Sequence, residues 1–510
     1  MIISKKELRF DGLKRLLKND NMKKASIKKN LVMNVIRVGF NTLFPIITFP
    51  IVLRALGPDN YGKVNFSASV LSYFVLFASM GIPAYGVIVC AKVRTKEEEL
   101  KKRICELLYI NMSMIVLAYI TFFVTLFIVP KFEQYRELLV LNSLSILFTP
   151  IGIEWIYTSL EDFKYITIRS IVVKVISLIL IVLFVREKTD YYIYAAISVF
   201  ATIGSNVYNL IHARKYIRLY RFKDLNIRQH LIPVISFFTA SIASTINANT
   251  DIVMLGFIDG DHYVGLYSFG VKVKTLLTSI LTAGLNVVLP RLAFYLGQNQ
   301  IKKYRVSLRK VVLLTMCIAF GLGFLFILCS KECIMILGGD EFLPSIHSMN
   351  ILTFCIIVLG LTWSLGVGVL QVSGREKYYT RTIIISTVIN VVLNIILIPI
   401  IHDVGAALAT LISEIVNMIL FYVYSREFLN NCLKGVHLLR VAISAVIAFL
   451  ISMFIRRLYI AFDSIIVCIF DSFIFSMIYI TLVLIFHSEL RKVIQSLLVE
   501  YSASRKSPIR

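Results

Sequence analysis

Acidic residues are scarce in this chain: 30 Asp and Glu stand against 54 Lys and Arg among 510 residues, a net charge of +24. No nucleotide-binding loop of the form GxxxxGK(S/T) occurs, so ATP does not drive the protein directly. HExxH and GxSxG are also missing, and the seven histidines (212, 230, 262, 347, 402, 437 and 487) are scattered without forming a metal set. The eight cysteines (90, 105, 317, 329, 333, 355, 432 and 468) lie mostly in or beside apolar runs. They show no paired CxxC spacing, which reads as small buried apolar residues rather than a metal cage. Residues 1–30 hold no short apolar core followed by a small-residue cleavage site, so they are not a signal peptide. They read as a basic cytoplasmic tail, either helical on the membrane surface or solvated.

Long polar stretches are missing too. The chain is 58% hydrophobic, with a mean hydropathy of +0.79, whereas soluble domains are about half apolar and broken by regular charged faces. Apolar runs recur at bilayer-spanning length, and they are too long and too rarely alternating for outer-membrane strands. Cutting at Gly, Pro and charge clusters predicts about fourteen helices of about 20 residues, from 31–53 to 463–486. The expected class is an all-α integral membrane protein. External loops come out at roughly 15 residues or fewer by these cuts. They leave no room for a catalytic ectodomain, and the reading is not an enzyme.

The placement of the positive charge bears this out. With the N-terminus inside, the cytoplasmic segments hold about 40 of the basic residues and the external loops about nine. That alternation predicts a multi-pass protein of the cytoplasmic membrane with both termini cytoplasmic. The basic loops then face anionic lipid headgroups, not nucleic acid.

An internal repeat accompanies the spans. IVLRALGPDNYGKVNFS (Ile51–Ser67) and IVMLGFIDGDHYVGLYSFG (Ile252–Gly270) share an Ile-Val run, an acidic residue, Tyr and Gly, then an aromatic and Ser. The two copies are six helices apart and so have the same orientation. Parallel repeats about an axis along the membrane normal typify one class of secondary transporter, with substrate bound where the halves meet. The expected organisation is a basic tail (1–30), a six-helix N-lobe (31–213), a cytoplasmic linker (214–230) and a six-helix C-lobe (231–430). A final helix pair with a basic tail occupies 431–510.

Ionisable groups within spans are rare and normally face a bundle interior or a water-filled cavity. Arg37 lies roughly 9 Å into the first helix, with Asn41 one turn later on the same face. Lys174 is roughly 12 Å into the fifth helix, and Lys272 roughly 12 Å into the eighth, followed by Lys274. Each either pairs structurally, snorkels, or lines a cavity that would suit phosphate or pyrophosphate. Asp251, with Asn247 one turn before it, either balances a lysine such as Lys274 or carries a coupling ion. Glu154 and Glu414 have Arg169 and Arg426 as candidate partners. In the stretch INVVLNIILIPIIHDVGAALATLISE (Ile389–Glu414), Asn390 and Asn394 share a face that should point to protein or cavity. His402–Gly405 makes an external turn, and Gly405, Ala409 and Ser413 form a small packing face.

That stretch sits in QVSGREKYYTRTIIISTVINVVLNIILIPIIHDVGAALATLISE (Gln371–Glu414), which closely resembles the Wzx-type polysaccharide-biosynthesis flippases of the multidrug/oligosaccharidyl-lipid/polysaccharide (MOP) exporter superfamily. VLRALGPDNYGKVNFSASVLSYFVLFASMGIPAYGV near the start and YVGLYSFGVKVKTLLTSILTAGLNVVLPRLA after the seventh helix resemble the same family, in the same order. The resemblance implies two six-helix lobes related by a pseudo-two-fold along the membrane normal. It also implies alternating-access flipping of undecaprenyl-diphosphate-linked oligosaccharide repeat units through a cationic central cavity, for O-antigen, capsule or exopolysaccharide synthesis. Arg37, Arg54 and Lys272 are the positions it marks for substrate. It implies no bound cofactor, H+ or Na+ as coupling ion, and a polysaccharide polymerase as a partner. Many relatives have twelve helices, so the extra pair is either accessory or a mark of the lipid II flippase branch. A multidrug or small-metabolite antiporter of the same superfamily is the other reading, against which Arg37 and the absence of an acid in the first helix count.

Overall fold

The computed structural model of the protein describes residues 5–215, 224–429, 437–486 and 491. The middle of the expected linker, Cys432, His487 and nearly all of the basic C-terminal tail lie outside them. The helices are α1 (Lys5–Ser79), α2 (Ile82–Val93), α3 (Glu97–Ile128), α4 (Arg136–Ile151), α5 (Glu154–Ser159), α6 (Phe163–Phe184) and α7 (Tyr191–His212). They continue as α8 (Arg228–Ile258), α9 (Asp261–Gly297), α10 (Ile301–Leu328), α11 (Ser330–Leu337), α12 (Ile346–Leu365), α13 (Glu376–Leu429), α14 (Leu438–Arg456) and α15 (Ser464–Phe486). Among the described residues, 12 helical stretches are long and apolar enough to cross a membrane. Two of these hold a backbone break, at Gly57 and at Ile401–His402, and so make two passes each. The crossings therefore number about fourteen, as expected for a bilayer core of about 30 Å.

By packing, the chain forms two compact units: Met1–Val52 with Val70–Ile242, and Leu53–Ser69 with Ala243–Arg510. In the first, Trp155, Tyr157, Ile104, Leu107 and Ile166 anchor the core. In the second, Tyr304, Leu308, Phe421, Val441 and Phe475 do so. The final helix pair is part of this second core rather than a separate body.

The helices are patterned inside out relative to a soluble protein. In α6 the buried face carries Thr167, Arg169, Val173 and Ser177, while Ile168, Val172, Ile176, Ile179 and Leu183 are exposed. Lipid tails are as apolar as these side chains, so burying them gains little, and small or polar residues make the helix contacts instead. Each buried polar group must then find its partner inside the protein. Glu106 on α3 is fully buried. It accepts from His230 Nε2 (2.8 Å), Arg103 Nη1 (3.0 Å) and the Asn226 backbone N–H (2.9 Å). His230 Nδ1 meets the Tyr85 hydroxyl at 2.8 Å, which ties the start of α8 to α2 and α3.

In the second unit the two copies of the repeat lie against each other. Gly57 has φ 69°, ψ 176° and Gly260 has φ 94°, ψ −172°, a region open essentially to glycine alone. Gly62 and Gly265 follow at the same spacing in each copy. A methyl on Gly62 would stand 1.9 Å from the Asp261 carbonyl oxygen, and one on Gly265 would stand 2.0 Å from that of Pro58. Pro58 and Asp261 are themselves equivalent positions, so the contact is reciprocal about a local two-fold. Asp59 Oδ1 and His262 Nδ1, 3.3 Å apart, close over it.

Alanine at Gly62 or Gly265 forces backbone apart, a cost of about 1–3 kcal/mol each. Thermal unfolding in detergent should show a clear fall in melting temperature for both variants. Gly39→Ala and Gly297→Ala, where nothing lies within 4 Å, should show none. An unshifted melting temperature in both crossing variants would contradict the role of the contact.

Candidate functional site

In the first unit, α1, α5 and α6 gather the expected cations. Arg37 Nη1 donates to Glu154 Oε1 at 3.1 Å, and Arg169 Nη2 donates to Glu154 Oε2 at 2.8 Å. Glu154 opens α5 just after Ile153, whose backbone is left-handed at φ 41°. That turn presents its carboxylate to both guanidiniums. Arg169 Nη1 is fixed further by the Ser205 carbonyl at 3.2 Å. Arg37 and Arg169 thus share one acid. The side chain of Arg37 remains 24% exposed, against 4% for Arg169. The Arg169–Glu154 pair is as expected, and Arg37 is an addition to it. One turn beyond Arg37, Asn41 Oδ1 accepts from Lys174 Nζ at 2.5 Å, and the ammonium lies 5.5 Å from the centre of the Phe44 ring. Arg37, Asn41 and Lys174 are therefore brought to one face of α1. The side chain of Asn34 lies outside the description.

In the second unit, Asp251 on α8 is buried. It accepts from Tyr267 Oη at 2.5 Å, Thr410 Oγ1 at 2.6 Å and Asn394 Nδ2 at 2.6 Å. Asn394 Nδ2 also donates to Asn390 Oδ1 at 3.2 Å. The balancing of Asp251 by Lys274 expected from the sequence is not what forms. Lys274 faces Glu414, which also meets Asn417, so Glu414 has Lys274 rather than Arg426 as its cationic neighbour. The reason is geometric: α13 turns back on itself at Ile401–His402, so both of its arms reach α8. His402, at φ 53°, ψ −129°, is held there by stacking on Tyr263 at 4.3 Å and by Asp259 Oδ2, 3.2 Å from its Nδ1. Asn247, one turn before Asp251, is exposed and takes no part in this cluster.

The cluster can do more than hold helices together. Asn394 Oδ1 is buried with no partner, and turning that amide over would aim the oxygen where its nitrogen now points. That oxygen would then face Asp251 Oδ1 and Asn390 Oδ1, oxygen donors of the kind a small hard cation or a proton takes. A single carboxylate matches a monovalent charge. Among the described residues, no group of three or more His, Cys, Asp or Glu could hold a metal ion.

Lys272 on α9 is half-buried and has no hydrogen-bond or ion-pair partner among the described residues. Arg54, expected as a substrate contact, is exposed and has partners in the second unit. Its Nη2 donates to the carbonyls of Met335 (3.1 Å) and Ile336 (2.8 Å), where it caps the C-terminal end of α11. Sequence reading missed Tyr267 and Thr410. Their only signal is that each lies on a face shared with small or polar residues.

Removing one donor from Asp251 should be measurable. Tyr267→Phe or Thr410→Val loses a hydrogen bond to a carboxylate, about 1.5–3 kcal/mol. The melting temperature in detergent should fall for each, and less than additively for the pair, since both act on Oδ2. Full additivity would mean that the two hydroxyls do not share one acceptor.

Comparison with known proteins fits this architecture. The family profile described as "Polysaccharide biosynthesis protein" matches residues 27–296, and that of MatE matches residues 237–396. The chain is 21% identical over 417 residues to a "Putative O-antigen transporter" of Escherichia coli (strain K12), covering 80% of this chain and 99% of that one. It is 25% identical over 180 residues to a "Probable low-salt glycan biosynthesis flippase" of Haloferax volcanii, 35% of this chain and 38% of that one. Among solved structures, the lipid II flippase MurJ in its inward closed conformation superposes with a TM-score of 0.71 at 17% identity, covering 90% of this chain and 99% of that one. A helical membrane fold shared with exporters and a family match across more than half of the chain agree, and the protein belongs to the polysaccharide biosynthesis protein family, a Wzx-type branch of the MOP exporter superfamily.

Proposed function

We propose that this protein is a flippase for polyprenyl-diphosphate-linked oligosaccharide repeat units, moving them between leaflets of the cytoplasmic membrane for surface polysaccharide synthesis. Similarity to an O-antigen transporter and a glycan flippase supports the substrate class. The observation that carries the chemistry is Lys272: a half-buried cation in a membrane helix, with no acid against it among the described residues. A charge of that kind is costly in lipid unless an anion comes to it, and a diphosphate is such an anion. Arg37 and Lys174 in the first unit, and Lys274 with Lys272 in the second, are the cations each unit offers the diphosphate in this reading. Asn41 orients Lys174, and Glu154 keeps Arg37 extended while leaving it part-exposed. Asp251 with Asn390, Asn394, Thr410 and Tyr267 is the site for the coupling ion, Na+ or H+. Asn247 contributes, in this reading, only to the polar lining of α8.

A drug-antiport reading draws on the MatE match. Against it, Glu154, the acid beside Arg37, is already held by two guanidiniums rather than open to an organic cation. Efflux of cationic dyes would favour that reading, and its absence the flippase.

Lys272→Gln should lower export of lipid-linked repeat units at least about ten-fold, the loss of one charge-assisted phosphate contact of about 1.5–3 kcal/mol. Membrane insertion should be unchanged, and intermediates should accumulate on the cytoplasmic leaflet. Normal export by Lys272→Glu would remove this role of the cations. For the coupling site, NaCl should raise the melting temperature of the wild type over choline chloride at fixed pH, and Asp251→Asn should abolish the shift. If Na+ has no effect but transport tracks a pH gradient, the ion is H+. If neither matters, Asp251 is structural.

A further inference from the structure

Three of the cysteines, read from the sequence as inert packing residues, meet at one end of the second unit. Cys329 ends α10 and Cys333 lies in α11. The Cys333 N–H donates to the Cys329 carbonyl at 2.8 Å, a helical i, i+4 contact that puts both side chains on one face. Cys468, in the first turns of α15, lies toward that face and interacts electrostatically with both other thiols.

The surroundings hold the three in register. Arg456, the last residue of α14, bonds Glu332 and lies 3.5 Å from Asp471, and its Nη1 donates to the Leu328 carbonyl. Tyr459 Oη donates to Asp471 at 2.7 Å. Glu332 and Leu328 neighbour Cys333 and Cys329 in sequence, and Asp471 follows Cys468 by three residues, on the same helical face. The buried charges therefore clamp α15 against α10 and α11 at the level of the thiols. Charge asymmetry puts the α14–α15 turn on the outer side of the membrane, where disulfides form and persist.

We propose that Cys329, Cys333 and Cys468 form a thiol-disulfide site in which Cys468 bonds to either Cys329 or Cys333 and staples α15 to the second unit. The reaction is exchange with a protein or small-molecule disulfide. The Cys468 sulfur forms one new S–S bond through a mixed disulfide, and the second thiol displaces the carrier. Two cysteine thiols are oxidised, and one carrier disulfide is reduced to two thiols, which keep the two protons. The third cysteine remains a free thiol beside the bond and can take over either partner.

The test uses the full chain in detergent or native membranes, treated with diamide, a small permeant oxidant, or with dithiothreitol. Free thiols are then alkylated and the peptides mapped. After diamide, Cys468 should be recovered joined to Cys329 or Cys333. Cys329→Ser should leave only the Cys333–Cys468 bond, and Cys333→Ser only the Cys329–Cys468 bond. Cys468→Ser should abolish both. Oxidised wild type should melt higher than reduced, and Cys468→Ser should show no difference. Full alkylation of Cys468 after diamide would overturn the proposal, as would Cys468 joined only to other cysteines or to a second chain. Serine is close in size to cysteine, and each variant is compared with its own reduced form, so a folding defect cannot mimic the result.

Discussion

Inside a bilayer no water is available to take over a broken hydrogen bond, and this constraint organises the whole protein. Apolar side chains are content in lipid, so they do not decide which helix lies beside which. Buried polar groups do. Glu106 meets donors on α3 and at the start of α8, Asp251 meets α9 and both arms of α13, and Asp471 meets Arg456 and Tyr459. The first two knots join helices far apart in sequence. Such knots are strained if any one partner is lost, because the remainder is left unsatisfied in a medium that cannot solvate it.

The same economy explains why the cationic residues divide into two kinds. Arg169 is buried and Arg456 nearly so, both are engaged by carboxylates and carbonyls, and they serve the fold. Lys272 has no such engagement among the described residues, and Arg37 shares its acid with Arg169 and keeps part of its side chain exposed. A charge that the fold does not neutralise is a functional candidate in a membrane protein. The reciprocal glycine crossing adds a different constraint. It excludes side chains altogether, so two backbone segments approach more closely than any larger residue would permit.

Much of this was legible beforehand. Long apolar runs, the basic loops and the duplicated segment around Gly62 and Gly265 predicted the helices, their number and the repeat. Arg37, Asn41 and Lys174 were legible because charge inside an apolar span is conspicuous and because helical spacing puts Arg37 and Asn41 on one face. Asn390 and Asn394 were recognisable as facing protein. What failed was pairing. Lys274 is the nearest basic residue to Asp251 by depth along the helices, yet the donors that reach it come from Asn394 and Thr410, more than a hundred residues away. The contact of Arg54 with the end of α11 was likewise not legible in the sequence.

By itself, the sequence determined what each helix is: its length, its lipid-facing and protein-facing sides, and which positions carry charge into the membrane. These follow from periodicity and transfer energy, which are local properties of a segment. Only the tertiary structure decided which polar groups meet, that Asp251 is held by neutral donors, that Glu154 is shared by two arginines, and that three scattered cysteines converge. The reason is that a hydrogen bond needs its donor and acceptor within about 3 Å. No local pattern in a chain specifies which of many helix faces a distant helix will bring to that distance.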